Sequence, residues 1–170
     1  FSYIETGEGT PIVLLHGLMG ELSNFGSLTD HFSKNGFKVY APKIPIYEFS
    51  ILKTNVSNIA KSISEFLEEV VKEPAILVGN SLGGHLGLIT SLKRPDLVKA
   101  LCLTGSSGLY ERSFGETFPK RGSYEYVLKK AQEVFYNPEV ATKEIVDDVF
   151  DTINDRNKAI KTLYIARSAI

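Results

Sequence analysis

One stretch of sequence decides the fold: Ala75-Ile76-Leu77-Val78-Gly79-Asn80-Ser81-Leu82-Gly83-Gly84-His85. Its first four residues are apolar, as in a strand that is buried on both faces of a sheet. From residue 82 onward the apolar residues recur at helical spacing, at Leu82, Leu86 and Ile89. Between the two patterns lies a G-x-S-x-G motif centred on Ser81. Strand, sharp turn and helix is the context in which this motif presents a nucleophilic serine.

Gly79 and Gly83 give the motif a physical rationale. A serine in so tight a turn has a strained backbone, and side chains two residues before and after it would collide with neighbouring chain. Glycine at both positions leaves the Ser81 hydroxyl exposed above the sheet, at the positive end of the following helix. The alternative is that Ser81 only caps a helix after a glycine-rich turn. The flanking strand and helix, and a second motif upstream, favour the nucleophile.

The composition excludes several functional classes. The 170 residues, 43% of them hydrophobic, suit a soluble globular protein with a sizeable core. A net charge of −1 without a basic run argues against a nucleic-acid partner. No apolar run approaches the roughly 20 residues of a membrane span, and no signal peptide is visible, so a cytoplasmic location is expected. The single cysteine, Cys102, is expected to be a buried, inert thiol.

Strand and helix patterns alternate through residues 1–109. Strands are predicted at Phe1–Thr6, Ile12–Leu15, Phe37–Pro42, Ala75–Val78 and Val98–Leu103, and helices at Asn24–Lys34, 55–72 and from Leu82 onward. The helix over 55–72 is the clearest, because its apolar residues recur at i, i+3, i+4 and i+7 opposite a charged face. This order predicts an α/β fold with a mostly parallel sheet, helices on both faces and a buried last strand.

Beyond Leu109 the strand patterns stop. Helices are expected over Ser123–Tyr136, from Pro138 onward, and over Arg156–Ile170. We therefore predict a core over residues 1–109 and a helical cap over 110–170 that lies above the active edge of the sheet. The aromatic residues of this segment favour a small apolar acyl or aryl substrate, with Phe114 as a contact, unless they only form the core of the cap. They are Tyr110, Phe114, Phe118, Tyr124 and Tyr126.

A serine nucleophile also needs donors for the oxyanion that forms on its substrate. The backbone N–H of Leu82, at the start of the helix, is one candidate. The second is expected from the loop that ends the second strand, where Gly17 lets the backbone approach closely. Leu18 is the first choice there and Met19 the second, and both Gly17 and Met19 are expected to line the substrate site. This chemistry requires no cofactor and no metal, and none is predicted.

Each of the three histidines has a structural interpretation. His16 either acts as a catalytic base or organises its loop through backbone hydrogen bonds, and the second interpretation is favoured. His85 is expected to pack against the sheet. His31, near a helix end, is expected to be solvated.

These motifs resemble the N-terminal portion of an α/β-hydrolase-fold protein, with His16-Gly17 in the oxyanion loop and Gly79–Gly84 as the nucleophile elbow. The likeness spans Phe1 to about Leu109, and the segment from Tyr110 matches the family's cap in position. The G-N-S-x-G-G motif is similar to that of the meta-cleavage C–C hydrolases, and it also occurs in esterase-like members. The loop His-Gly-Leu-Met-Gly departs from the His-Gly-Gly-Gly-Pro-Gly type of the C–C hydrolase branch.

The resemblance also implies a catalytic acid and a histidine after the cap. No histidine follows His85, and the aspartates of the predicted cap helix are expected to be solvated: Asp147, Asp148, Asp151 and Asp155. The chain opens in mid-strand at Phe1 and stops where the cap should end. We therefore expect residues to be missing at the front, and a C-terminal segment, on a longer or a separate chain, to complete the triad.

Three functions stay open at this point. The first is a serine hydrolase that acts on an ester or a similar small carbonyl substrate through an acyl-enzyme on Ser81. The second is a C–C bond hydrolase of ring-cleavage products. The third is a non-catalytic binding protein that keeps the pocket and has lost the base.

Overall fold

The computed structural model describes residues 1–18, 25–109 and 122–169. They belong to two compact units, one formed by Phe1–Glu111 with Tyr164–Ile170, the other by Arg112–Leu163. The end of the chain thus packs with the first unit rather than with the rest of the predicted cap. No helix within the described residues is long and apolar enough to cross a membrane.

The first unit is built on a five-stranded sheet in the order β1-β3-β2-β4-β5. Its strands are β1 (Tyr3–Thr6), β2 (Thr10–Leu15), β3 (Phe37–Pro42), β4 (Ala75–Asn80) and β5 (Val98–Thr104). β1 runs antiparallel to β3, and the remaining pairs are parallel. The mostly parallel sheet predicted from the sequence is therefore confirmed.

Helices cover both faces of this sheet. They are α1 (Gly26–Ser33), α2 (Val56–Phe66) and α3 (Leu82–Lys93). Successive residues of a strand point to opposite faces. Val13 and Leu15 of β2 accordingly join the core cluster that contains α2 and α3, while Leu14 joins a second cluster against which Phe32 of α1 packs.

α2 shows how the predicted pattern translates into structure. Asn55 caps the helix, and its side-chain oxygen accepts a hydrogen bond from the Asn58 N–H at 2.8 Å. The apolar face is buried as predicted, but the α-helix ends at Phe66. A π-helical turn continues it over Leu67–Val71, and Lys72, at φ 64°, ends it. This π-helical segment has only five residues, too few to leave a period of its own in the sequence pattern.

Arg94 ties the end of α3 to that turn. Its guanidinium forms ion pairs with Glu68 and with Asp96, the latter at 2.6 Å. The hydrogen bond from Arg94 lowers the pKa of the Asp96 carboxyl below its usual value. The contact anchors α3 at the end opposite to Ser81.

β5 differs from the prediction. Among the described residues it pairs with β4 alone and forms an edge of the sheet, and Lys99, Ala100 and Cys102 are exposed. The expectation of a buried strand with a buried Cys102 thiol is therefore wrong. An apolar run indicates a strand, but its burial depends on neighbours that the run itself does not contain.

The second unit is helical. α4 (Tyr124–Val134) and α5 (Lys143–Asn154) bury Val127, Val146 and Ile153. Pro138 begins a 3-10 turn over Pro138–Val140, and α5 starts only after Thr142, so the predicted start of this helix at Pro138 is wrong. Tyr124 donates a hydrogen bond to Asp147 at 2.7 Å, which raises the pKa of the Tyr124 hydroxyl.

The last helix, α6 (Arg156–Ser168), begins in the second unit and ends in the first. Ile165 is buried in the core of the first unit. The Ser168 hydroxyl accepts a hydrogen bond from the Val56 N–H at 3.0 Å, at the start of α2. Tyr110, Phe114 and Phe118 lie outside the described residues, as does Met19.

Candidate active site

Ser81 lies in the turn between β4 and α3. Its backbone angles are φ 52° and ψ −118°, and a positive φ is uncommon for any residue other than glycine. Such a conformation costs on the order of 1–3 kcal/mol and persists only where the surrounding structure holds it. Since β4 lies between β2 and β5, the turn is at the carboxyl end of an interior strand.

Glycines make this turn possible. A Cβ atom on Gly79 would lie 2.5 Å from the carbonyl oxygen of Gly83, and one on Gly83 would lie 2.0 Å from the carbonyl oxygen of Leu15. A Cβ atom on Gly84 would meet the Ser106 hydroxyl oxygen at 2.5 Å. The first turn of α3 therefore packs directly on the backbone of β2 and on the loop after β5.

Hydrogen bonds from the end of β5, from the loop after it and from α3 hold the backbone of Ser81. The Ser81 N–H donates to the carbonyl oxygen of Thr104 at 3.2 Å. The Ser81 carbonyl accepts from the N–H groups of His85 at 3.2 Å and Ser107 at 3.1 Å. The Ser107 hydroxyl lies 3.4 Å from the same oxygen. The N–H and the carbonyl of the strained residue are thus both engaged, by Thr104 and Ser107 on the side of β5 and by His85 of α3.

The loop after β2 approaches the serine from the other side. Gly17 is buried, and a Cβ atom on it would lie 3.3 Å from the Cβ atom of Ser81. Leu18 follows and packs against the core. Leu82 is the first residue of α3, so its N–H has no acceptor within the helix and contributes to the positive helix terminus. Gly17, Ser81 and Leu82 therefore meet at the carboxyl ends of β2 and β4.

His16 organises this loop. Its Nδ1 lies 2.8 Å from the carbonyl oxygen of Gly17, and its Nε2 accepts a hydrogen bond from the Ile44 N–H at 3.1 Å. Because Nε2 is the acceptor, Nδ1 carries the proton and donates it to Gly17. The ring is only 4% exposed. With the lone pair of Nε2 engaged by Ile44, His16 is not placed to take a proton from Ser81.

The other two histidines differ in environment. A Cβ atom on Gly108 would lie 2.4 Å from Cδ2 of the His85 ring. The ring therefore contacts the loop after β5. His31 is exposed on α1, with its ring centroid 5.6 Å from that of Phe32.

Comparison with known proteins decides the family. The family model for the α/β hydrolase fold matches residues 10–159 of this chain. The chain belongs to the α/β hydrolase family. The resemblance inferred from the sequence motifs is thereby confirmed.

Three relatives illustrate the range within the family. The crystal structure of an α/β hydrolase enzyme from the sediment metagenome of the Mar Chica lagoon, Morocco, is 44% identical, with a TM-score of 0.75 over 98% of this chain and 61% of that one. The 2-hydroxy-6-oxo-6-phenylhexa-2,4-dienoate hydrolase of Comamonas testosteroni is 25% identical over 96% of this chain and 63% of its own length. An sn-1-specific diacylglycerol lipase of Danio rerio is 28% identical over 59% of this chain and 33% of its own. The chain spans less than two thirds of the length of each relative.

Two features of this α/β hydrolase site could not be located from the sequence. The loop after β5 reads Gly105-Ser106-Ser107-Gly108, and only its small residues indicate close packing. Asn80 donates a hydrogen bond to Thr104 at 2.9 Å, a contact between residues 24 positions apart.

A separate cleft of about 430 Å³ near Phe1 and Phe49 has none of the elbow residues in its lining. No cluster of side chains suited to a metal ion occurs among the residues that the structure describes.

Proposed function

We propose that this α/β hydrolase chain carries the nucleophile of a serine hydrolase, which cleaves an ester or a similar small carbonyl compound through an acyl-enzyme on Ser81. One observation supports this above all. Ser81 has a positive φ at the start of α3, and its Cβ atom lies against Gly17 of the loop after β2. Strain of this kind is costly, and it is concentrated at functional sites.

The proposed reaction proceeds in two halves. The Ser81 hydroxyl attacks the carbonyl carbon, its proton passes to a general base, and the carbonyl oxygen becomes an oxyanion that accepts hydrogen bonds from the N–H groups of Leu18 and Leu82. Collapse of this intermediate releases the alcohol, protonated by the same base, and leaves the acyl group on Ser81. A water molecule, deprotonated by that base, then attacks the acyl carbonyl, and the acid is released as the base returns the proton to the Ser81 oxygen.

The base and its carboxylate partner are proposed to lie outside residues 1–170. His16 is committed to the backbone groups of Gly17 and Ile44, and His31 lies exposed on α1. The relatives are longer than this chain, which leaves room for both groups elsewhere in the complete polypeptide. The segment that begins at Tyr110 is proposed to act as the cap, with Met19 and Phe114 in contact with a small apolar substrate.

A C–C bond hydrolase is the second candidate. The Comamonas testosteroni relative, which is named for hydrolysis of a phenylhexadienoate, aligns over 96% of this chain. The Gly-Asn-Ser-x-Gly-Gly motif at Gly79–Gly84 also favours this branch. The loop that starts at His16 departs from the type of that branch, so we rank ester hydrolysis first.

A serine-directed probe tests the proposal. We expect a fluorophosphonate to label the complete polypeptide, Ser81→Ala to abolish both labelling and turnover of p-nitrophenyl esters, and Ser91→Ala to change neither. Ser91 is a matched control because it lies on the same helix and its hydroxyl donates to the Gly87 carbonyl of that helix at 2.8 Å, away from the elbow. Labelling that survives in Ser81→Ala would contradict the assignment of the nucleophile. An unlabelled wild-type protein would instead indicate a binding protein without catalysis.

The choice between the two reactions needs a second assay. Turnover of p-nitrophenyl esters without cleavage of a dienoate diketone supports the esterase. Faster cleavage of the diketone, lost in Ser81→Ala, would favour the C–C hydrolase.

A further inference from the structure

Asn80, the residue before the proposed nucleophile, makes a contact that the proposed reaction does not use. Its side chain is at the surface, where Nδ2 donates to the carbonyl oxygen of Thr104 at 2.9 Å and lies 3.3 Å from the Thr104 hydroxyl oxygen. Thr104 is the last residue of β5. The carboxamide therefore joins the ends of two parallel strands at the point where the elbow begins.

Three consecutive residues of the elbow converge on Thr104. Its carbonyl oxygen accepts from the Ser81 N–H at 3.2 Å as well as from Asn80, and its hydroxyl donates to the Gly79 carbonyl at 3.4 Å. The group that holds the Ser81 amide is thus itself fixed by the Asn80 side chain. The next link in the loop, from the Ser107 N–H, binds the Ser81 carbonyl at 3.1 Å.

This arrangement has a consequence for the direction of the Ser81 hydroxyl. A backbone at positive φ relaxes unless its surroundings hold it, and any rotation of the peptide moves the side chain with it. We infer that Asn80 is a positioning residue, which fixes Thr104 and through it the backbone of Ser81 in the attacking orientation. The inference rests on the proposed serine hydrolase function.

Two substitutions at Asn80 test the inference in the complete polypeptide, with one control. Asn80→Ala removes the side chain, and Asn80→Asp keeps its shape while replacing the donor by an oxygen that faces the Thr104 carbonyl. Asn58→Ala is the control, because Asn58 is an exposed asparagine whose Nδ2 donates to the Lys53 carbonyl at 2.8 Å, away from the elbow. Asn80→Ala and Asn58→Ala each lose a surface hydrogen bond to a backbone carbonyl, so a purely structural role predicts similar effects of these two variants.

We expect both Asn80 variants to lower kcat and kcat/KM together by roughly 10-fold to 10²-fold, the scale of a small misplacement of a reacting group. The rate constant for fluorophosphonate labelling of Ser81 should fall by a similar factor. The Asn58→Ala variant should keep the wild-type kinetic constants and the wild-type labelling rate. The melting temperatures of the Asn80→Ala and Asn58→Ala variants should match. Hydrogen exchange of the Ser81 amide should accelerate in Asn80→Ala and stay unchanged in Asn58→Ala.

The remaining outcomes separate the inference from the function on which it rests. Ser81-dependent labelling that proceeds at the wild-type rate in Asn80→Ala would overturn the inference and leave the serine hydrolase intact. A rise in KM with unchanged kcat would also overturn it, because Asn80 would then bind substrate rather than position Ser81. Absence of labelling in the wild-type protein would overturn both.

Discussion

At the scale of single residues, Gly17 and Ser81 lie together at the candidate site. A Cβ atom on Gly17 would lie 3.3 Å from that of Ser81, which is tight but leaves room for a small adjustment. The φ of Gly17 is not in the left-handed region, so the position does not require glycine for its backbone. What a larger side chain would disturb is the space between the loop after β2 and the hydroxyl of Ser81.

This geometry predicts the effect of Gly17→Val. We expect turnover of the complete enzyme to fall by roughly 10²-fold or more, the loss seen when one oxyanion donor is removed, because the valine methyl groups displace the Leu18 N–H from the oxyanion. Gly26→Val is the control, since a Cβ atom on Gly26 meets nothing within 4 Å. Steady-state kinetics on both variants gives the answer. Wild-type turnover in Gly17→Val would refute the placement of the oxyanion site beside Gly17.

The same scale shows which residues a sequence reveals. Ser81 with Gly79 and Gly83 was predictable, because a sharp turn needs small neighbours at fixed spacing and leaves a local motif. The contacts of Asn80 with Thr104 and of His85 with Gly108 were not, because each joins residues that only the fold brings together. Nothing in the sequence around either partner records the pairing.

At the scale of elements, α3 packs unusually closely on the sheet because glycines line its inner side. Gly83 faces the backbone of Leu15 in β2, while Gly87, one turn later, faces a methyl group of Leu101 in β5. The two positions differ in what a new methyl group would meet. A backbone carbonyl in a central strand cannot move without the strand, whereas a half-buried leucine side chain has other rotamers.

We therefore predict different effects for two Gly→Ala substitutions in one helix. Gly83→Ala should lower the free energy of unfolding by about 3 kcal/mol, because its Cβ atom would lie 2.0 Å from the Leu15 carbonyl oxygen. Gly87→Ala should stay within about 1 kcal/mol of wild type, since the helix propensity of alanine offsets the displacement of Leu101. Urea unfolding of both variants measures the difference. Equal effects would show that α3 can shift on β2 at little cost.

The order of the helices and strands was predicted better than their burial and their exact ends. The strand and helix patterns of residues 1–109 carried enough local signal to give the order of β2, α2, β4 and α3. The exposure of Cys102 could not be predicted, because an edge strand and a central strand share the same apolar run and differ only in their neighbours. The start of α5 was missed because Pro138 is equally compatible with a 3-10 turn.

At the scale of the whole molecule, the first unit holds the proposed nucleophile, Ser81, and the base is proposed to lie outside residues 1–170. The interactions of His16 and His85 lie in the loops that surround Ser81, where both rings contribute to packing. His31 belongs to α1, which packs on the sheet face opposite to α3. A serine without a base is a weak nucleophile at neutral pH, so the placement of the base decides whether residues 1–170 suffice for catalysis.

The last prediction compares residues 1–170 with the complete polypeptide. We expect the short chain to hydrolyse p-nitrophenyl esters at least 10²-fold more slowly, because the oxyanion site and binding alone sustain only a residual rate, roughly 10³–10⁴ over water in known triad deletions. Aggregation of the short chain at the open edge of β5 would prevent the measurement of its rate.

A second experiment in the complete polypeptide therefore accompanies the first. His85→Ala should retain most of the wild-type turnover, whereas Ser81→Ala should lose it. If His85→Ala abolishes turnover without loss of folded protein, and imidazole added to the buffer rescues the activity, then His85 is the base. The triad would then differ from the one proposed here.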